Sequence, residues 1–228
     1  MWSRLETLVA EAARDTSARA LVLCGSQAAF VSGADIGDLR AMQSAADGVA
    51  YEAAVERALV AIEQLDIVTI AAVSGACTGG GAILAAACDI RIGTADSRVG
   101  VPIARTVGNI TTARNVARLA GAVGRSRALA WVLTAELSDA AAAERCGFFL
   151  EVVPDFDALI ARATALAASI AANAPLTLAA AKELVRRLSR VAEGVEDRDL
   201  LERCYGSDDF REGIAAFIEK RAPRFLGR

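Results

Sequence analysis

The residues best placed for chemistry lie in two short glycine-containing stretches, "FVSGADI" (30–36) and "GACTGGGAI" (75–83). Each follows a strand-like run and opens a helix. At a helix start the first N–H groups have no intrahelical partner, and the helix dipole favours negative charge there. Two such groups converging would form a cradle for a developing oxyanion. Taken singly, each stretch also reads as a tight turn where a helix packs closely on a strand. Neither is a phosphate loop: no GK[ST] follows, and G-x-G-x-x-G is not matched with a suitable downstream acid. The glycine run is followed by "AILAAAC", which supplies no base and no nucleophile better than a small cysteine.

Composition removes several mechanisms. The chain has no histidine, so Ser-His-Asp and Cys-His schemes and imidazole-based metal sites fall away. Its five cysteines (24, 77, 88, 146 and 204) lie far apart. That spacing predicts reduced, mostly buried thiols in a cytosolic protein, with no metal site. Net charge is −3, lysine occurs only at 182 and 220, and aromatics are 5% of residues. No basic stripe exists to track nucleic acid. The longest apolar candidate, 66–90, is broken by Ser74, Gly75, Thr78 and further glycines, so no membrane span is expected. "MWSRLETLVAEAARD" reads as an amphipathic helix rather than a secretory signal. The expectation is a soluble, cytoplasmic protein.

The surrounding elements must position those stretches. A helix is predicted over 3–14, with Ser3 and Glu6 spaced as a capping box. "RALVLC" (19–24), "IVTIAAV" (67–73) and "DIRIGT" (89–94) read as strands, the second buried on both faces. Helices are predicted from near Asp35, over 46–65 and over 80–87. This alternation gives an α/β core with a largely parallel sheet. Beyond about 105, helices are expected at 110–120, 124–133, 139–146, 155–173, 175–190, 193–204 and 208–219, with "LEVVP" (150–154) the only strand. The division expected is a core over 1–154 and a helical C-terminal region over 155–228.

Four longer segments, in order, resemble the crotonase (enoyl-CoA hydratase/isomerase) superfamily across almost the whole chain. They are "ARALVLCGSQAAFVSGADIGDLRAM", "IVTIAAVSGACTGGGAILAAACDIRIGTADSRVGVP", "LAGAVGRSRALAWVLTAELSDAAAAERCGFFLEVVP" and "DDFREGIAAFIEKRAPRF". The resemblance implies a spiral ββα core with a helical C-terminal trimerisation region. It implies a homotrimer or dimer of trimers, an acyl-CoA thioester as substrate, and no cofactor or metal beyond the coenzyme A that the substrate carries. It places the two oxyanion donors on the backbone N–H groups of Ala34 and Gly80, the adenine contacts at Ser32 and Ile36, and a phosphate-reaching lysine at Lys220. Lys220 reads equally well as a solvated lysine. The residue logic agrees for the donors: a thioester enolate is an anion that two neutral N–H groups can hold, and small side chains at 34 and 80 let its oxygen approach.

The resemblance breaks at the two hydratase glutamates, whose positions hold Ile83 and Ile103. General acid–base catalysis contributes about 10²–10⁴-fold per group, so ordinary water addition is disfavoured. Glu136, in "TAELSD", is the one weak replacement acid or base, and also reads as a solvated glutamate; Asp35 and Asp89 read as structural. In "PIARTVGNITTARN" (102–115), Arg105 with Thr106, Asn109 and Thr111 is expected to select the acyl group, Arg105 holding an anionic tail; Arg105 also reads as a surface residue. Family chains begin with two further strands, so this one is either short there or has its start assigned downstream. Three functions remain. The first is an enoyl-CoA hydratase/isomerase-like enzyme working through an enolate, whose residues favour a reaction less dependent on paired carboxylates, such as decarboxylation of an anionic acyl group. The second is a catalytically degenerate acyl-CoA-binding or assembly subunit. The third is a bare α/β oligomeric scaffold outside coenzyme A biology.

Overall fold

The computed structural model describes residues 1–189 and 197–226. The chain begins α1 (Trp2–Arg14), β1 (Ala20–Cys24), β2 (Ala29–Val31), α2 (Ile36–Ala41), α3 (Ala45–Glu63), β3 (Val68–Val73), β4 (Ala76–Thr78) and α4 (Gly80–Ala87). It continues β5 (Ile90–Thr94), β6 (Arg98–Gly100), α5 (Ile103–Thr106), α6 (Ala113–Val123), α7 (Arg125–Leu133), β7 (Ser138–Asp139), α8 (Ala140–Arg145) and β8 (Glu151–Val153). Four helices close it: α9 (Phe156–Ala171), α10 (Pro175–Ser189), α11 (Arg198–Tyr205) and α12 (Asp208–Ile218).

Three consecutive ββα units each contribute one strand to each of two sheets. The first sheet, ordered β1-β3-β5-β8, is parallel throughout, with Ile70 opposite both Val22 and Ile90. The second is ordered β2-β4-β6-β7; its first three strands are parallel and β7 runs antiparallel to β6. The single sheet read from the sequence is therefore two. Strands β2, β4 and β6 have three residues each, too few for a period-two pattern to emerge. Likewise β7, of two residues, joins the half where only 150–154 was expected to be extended.

The capping box expected at Ser3 and Glu6 does not form. Helix α1 starts one residue earlier with Met1 as its N-cap, and the Ser3 carbonyl accepts from Thr7 Oγ1. The capping box in this molecule opens α3, where Ser44 and Asp47 satisfy each other's backbone N–H groups. Helix α6 begins at Ala113, after the N-cap Thr112, rather than at 110. The expected start of the next-to-last helix at 193 lies outside the described residues.

Strand β3 is buried along its whole length. Ala71 and Val73 face the main core with Leu59, Ile62, Leu84, Leu119, Phe148 and Phe149. Val68, Ile70 and Ala72 face the opposite way, onto Leu159, Ala163 and Ile170 of α9. Both faces of a parallel strand are thus covered, as its continuous β-branched and small-residue run requires. A third cluster joins Leu39 and Val107 to Leu201, Tyr205, Phe210 and Ile214, so α11 and α12 return onto α2 and α5. Of the cysteines, only Cys77 and Cys88 are fully buried, and Cys24 is exposed; among the described residues no helix is long and apolar enough to cross a membrane.

Candidate functional site

The two glycine stretches lie side by side. Strand β2 pairs with β4, Val31 opposite Cys77, so the backbones leaving both strands run together. Thr78 Oγ1 donates to the Ser32 carbonyl at 2.8 Å, and a Cβ placed on Gly79 would lie 3.9 Å from the Gly33 Cα. Gly33 and Gly79 both have positive φ, +125° and +56°, a conformation that L side chains rarely adopt. Ala34 and Gly80 immediately follow these two turns, ahead of α2 and at the first residue of α4. Asp35 caps α2 by accepting from the Gly37 N–H at 2.7 Å, and Gly79 caps α4 without a side-chain bond. Among the described residues, neither the Ala34 nor the Gly80 amide donates to a protein acceptor. Gly81 explains how α4 comes so near: a Cβ there would sit 2.0 Å from the Val31 carbonyl oxygen.

The surroundings of this pair are apolar. Ile83, one turn along α4 from Gly80, is buried in the main core. Ile36 packs with Ala34 in the third cluster, and Ile103 packs against both clusters. Tyr51 likewise bridges the two clusters, and the Trp2 indole N–H donates to its hydroxyl at 3.3 Å. Burial raises the Tyr51 pKa, and the charges of Glu52, Asp38 and Asp35 add to that, so the phenol holds its proton. Sequence reasoning missed Trp2 and Tyr51 here. A tryptophan on an amphipathic helix face carries no signal of what it faces.

The other expected residues are more dispersed. Glu136 is exposed, although its loop does reach the region: a Cβ on Gly100 would meet the Glu136 carbonyl at 2.9 Å, and the Gly100 carbonyl accepts the Gly79 N–H. Ser32 is exposed, with its carbonyl tied to Thr78. Arg105 is exposed in the last turn of α5. Lys220 is exposed just beyond α12, at φ 54°. Asp89 is structural: it accepts from the Thr69 N–H and hydroxyl and pairs with Lys182 at 2.7 Å. Among the described residues no three acidic or cysteine side chains gather as metal ligands.

The polar residues of 102–115 have partners inside the protein. Thr106 Oγ1 donates to the Pro102 carbonyl, Asn109 Nδ2 to the Tyr205 hydroxyl, and Thr111 Oγ1 to Glu52. Tyr205 also donates to Glu52, at 2.7 Å. Glu52 is thus a buried carboxyl that no motif had marked. Burial raises its pKa, more than the bonds from Tyr205, Thr111 and the Thr112 amide lower it. A chain of contacts runs on through Asn115 to Arg118, which forks onto both Glu56 and Glu63.

Residues 4–228 match the family described as enoyl-CoA hydratase/isomerase. The chain belongs to the enoyl-CoA hydratase/isomerase family. It is 36% identical over 217 residues to a probable enoyl-CoA hydratase of Mycobacterium tuberculosis, covering 94% of this chain and 82% of that protein. It is 33% identical over 220 residues to the 2,3-dehydroadipyl-CoA hydratase of Escherichia coli, covering 95% and 84%. An enoyl-CoA hydratase/carnithine racemase structure from Magnetospirillum magneticum superposes with a TM-score of 0.79 at 32% identity, covering 100% of this chain and 86% of the other. The enoyl-CoA hydratase/isomerase fold is thus present in its crotonase form, two sheets wound by repeated ββα units. Within that frame this member carries isoleucine at 83 and 103.

Proposed function

We propose that the chain binds an acyl-CoA thioester and holds its carbonyl oxygen between the amides of Ala34 and Gly80, stabilising an enolate. The observation carrying this reading is the adjacency of the two glycine turns, with both following amides free of protein acceptors. Neutral donors fixed just ahead of α2 and at the first residue of α4 suit a charge that develops during reaction, because they need no reorganisation to meet it.

The residue chemistry favours a reaction that generates the enolate without a carboxylate base. Decarboxylation of a short malonyl-type thioester does so: the bond between Cα and the carboxylate carbon breaks, carbon dioxide leaves, and the electron pair passes into the enolate. A proton from solvent then completes the product at Cα. Apolar walls at Ile83 and Ile103 offer such a carboxylate no solvation and leave the neutral carbon dioxide unhindered. Hydration or double-bond isomerisation, the reactions in the family's description, would need an acid or base from elsewhere. Glu136 is the candidate for that role, its loop beside Gly100 and its side chain exposed. Ser32, Ile36 and Lys220 would face the coenzyme A moiety, with no further cofactor, and Arg105, exposed on α5, would stay clear of the departing carboxylate. The exposed leucines of α10, Leu176, Leu184 and Leu188, support burial of that helix against another copy, and the trimer or dimer of trimers is what the family resemblance implies.

A second reading follows from the same two isoleucines: a subunit that binds the ester without turning it over. Incubation with enoyl-, hydroxyacyl- and malonyl-type CoA esters, followed by mass spectrometry and binding measurements, separates them. Loss of carbon dioxide from a malonyl-type ester is the expected result. Binding with no mass change for any ester would establish the second reading. Absence of binding would remove both.

A further inference from the structure

The indole of Trp2 lies against Gly80, and we propose that Trp2 is the end wall of the acyl pocket, restricting this protein to short acyl groups. The inference rests on the reading of Ala34 and Gly80 as the thioester-binding pair. Three observations carry it. First, a Cβ built on Gly80 would lie 3.0 Å from Trp2 Cζ2 and 3.6 Å from its neighbouring ring carbon Cη2. The benzenoid edge of the indole therefore rests against the Gly80 Cα, and nothing passes between them. Second, Trp2 is 8% exposed, so the ring is a packed element of the wall. Third, its N–H is held by the Tyr51 hydroxyl at 3.3 Å, and Tyr51 is itself wedged between the cluster containing Ile83 and the cluster containing Ala34 and Ile103.

An acyl chain entering past the two amides meets Ile83 and Ile103 at its sides and the Trp2–Tyr51 pair ahead. A bulky, flat side chain fixed by packing and one hydrogen bond does not yield as an aliphatic side chain would. Shortening it opens room along the Gly80 face. Each methylene newly accommodated in an apolar pocket is worth about fourfold in Kd.

The test measures Kd for coenzyme A and for acetyl-, butyryl-, hexanoyl- and octanoyl-CoA with wild type, Trp2→Phe and Trp2→Ala, each checked for folding by circular dichroism. Wild-type affinity is expected to stop rising by about butyryl. Trp2→Phe shifts that ceiling modestly, and Trp2→Ala shifts it by two or more methylenes, a gain of at least about tenfold for hexanoyl-CoA over wild type. A folded Trp2→Ala protein with an unmoved ceiling overturns the inference while leaving the thioester reading intact. If wild type binds no ester, the thioester reading fails and this inference with it. The second arm does not depend on the alanine variant folding. In Trp131→Phe, Trp2 is the sole tryptophan, and butyryl-CoA but not coenzyme A is expected to shift its fluorescence. An unchanged spectrum with butyryl-CoA bound overturns the inference.

Discussion

Replacing Gly79 by alanine isolates the backbone conformation that aims the Gly80 amide. Gly79 sits at φ +56°, ψ −119°, and holding an L residue in so sparsely populated a region costs about 1–3 kcal/mol. Sterics add little, because the new Cβ would be 3.9 Å from the Gly33 Cα, an ordinary contact. A chain of this size loses about 2–4 °C of Tm per kcal/mol, so a fall of about 2–12 °C is expected. The cheapest relief is rotation of the Gly79–Gly80 peptide, which turns the Gly80 N–H away from its present direction. One neutral hydrogen bond to a bound thioester is worth about 0.5–1.5 kcal/mol, so acyl-CoA binding should weaken about 2–12-fold. Affinity for free coenzyme A, which has no thioester oxygen, should hold. Where a reaction is measured, loss of one oxyanion donor lowers kcat about 10²–10³-fold. Calorimetric titration with butyryl-CoA and coenzyme A reads the difference directly. A stable Gly79→Ala protein with an unchanged ratio of the two affinities would refute the assignment of Gly80 as a donor. Gly81→Ala serves as the contrast, since its Cβ would collide with the Val31 carbonyl at 2.0 Å and chiefly costs stability.

Two other outcomes are expected. Glu52, whose pKa is raised by burial, binds its proton more tightly folded than unfolded, where a glutamate titrates near about 4.3. Its contribution to stability is fully present below that value and is lost as pH rises through the folded pKa. The wild-type protein should therefore lose stability relative to Glu52→Gln as pH rises above the unfolded glutamate value of about 4.3, measured as urea midpoints; a constant difference would contradict the burial argument. Glu212, held at about 2 by Arg221 and the Arg224 amide, titrates below this window. Second, the pair Ile83→Glu with Ile103→Glu should gain hydration of crotonyl-CoA by at least about 10²-fold over wild type, at a cost in stability because Ile83 is buried. A folded, ester-binding double variant without hydration would show that these positions do not flank the reacting carbons.

Much of the frame was legible because its signals are local. Strand β3 announced itself by a run of β-branched and small residues long enough to need covering on both sides, and α2 by Asp35 at its cap. The two glycine turns were legible for the same reason, each being a feature of a few adjacent residues. What the sequence left out was pairing at a distance. The second sheet is assembled from three-residue strands that hold together only by lying next to one another. Trp2 on Gly80 and Tyr205 on Glu52 are contacts between elements whose own patterns say only that they bury an apolar face. Asn109 and Thr111 were visible as polar residues near the expected pocket, yet their hydrogen bonds run to α3 and α11. The capping-box spacing at Ser3 and Glu6 misled, because α1 already runs through Ser3 from its N-cap Met1.

The Glu52–Tyr205 bond has a bearing on how the protein is made. Its partners are 153 residues apart, and at about 5–20 residues per second the ribosome takes roughly 8–30 s to add that length. Until Tyr205 emerges, Glu52 lacks the hydroxyl that donates to it from α11, and that helix does not yet shield it from water. The apolar residues that α11 and α12 later cover, Leu39 and Val107 among them, are open over the same interval. Returning the last helices therefore does three things at once in the newborn chain: it shields Glu52 from water, favours its protonation, and covers Leu39 and Val107. A nascent chain halted before α11 would carry both glycine turns while Leu39 and Val107 still lacked the residues of α11 and α12 that cover them.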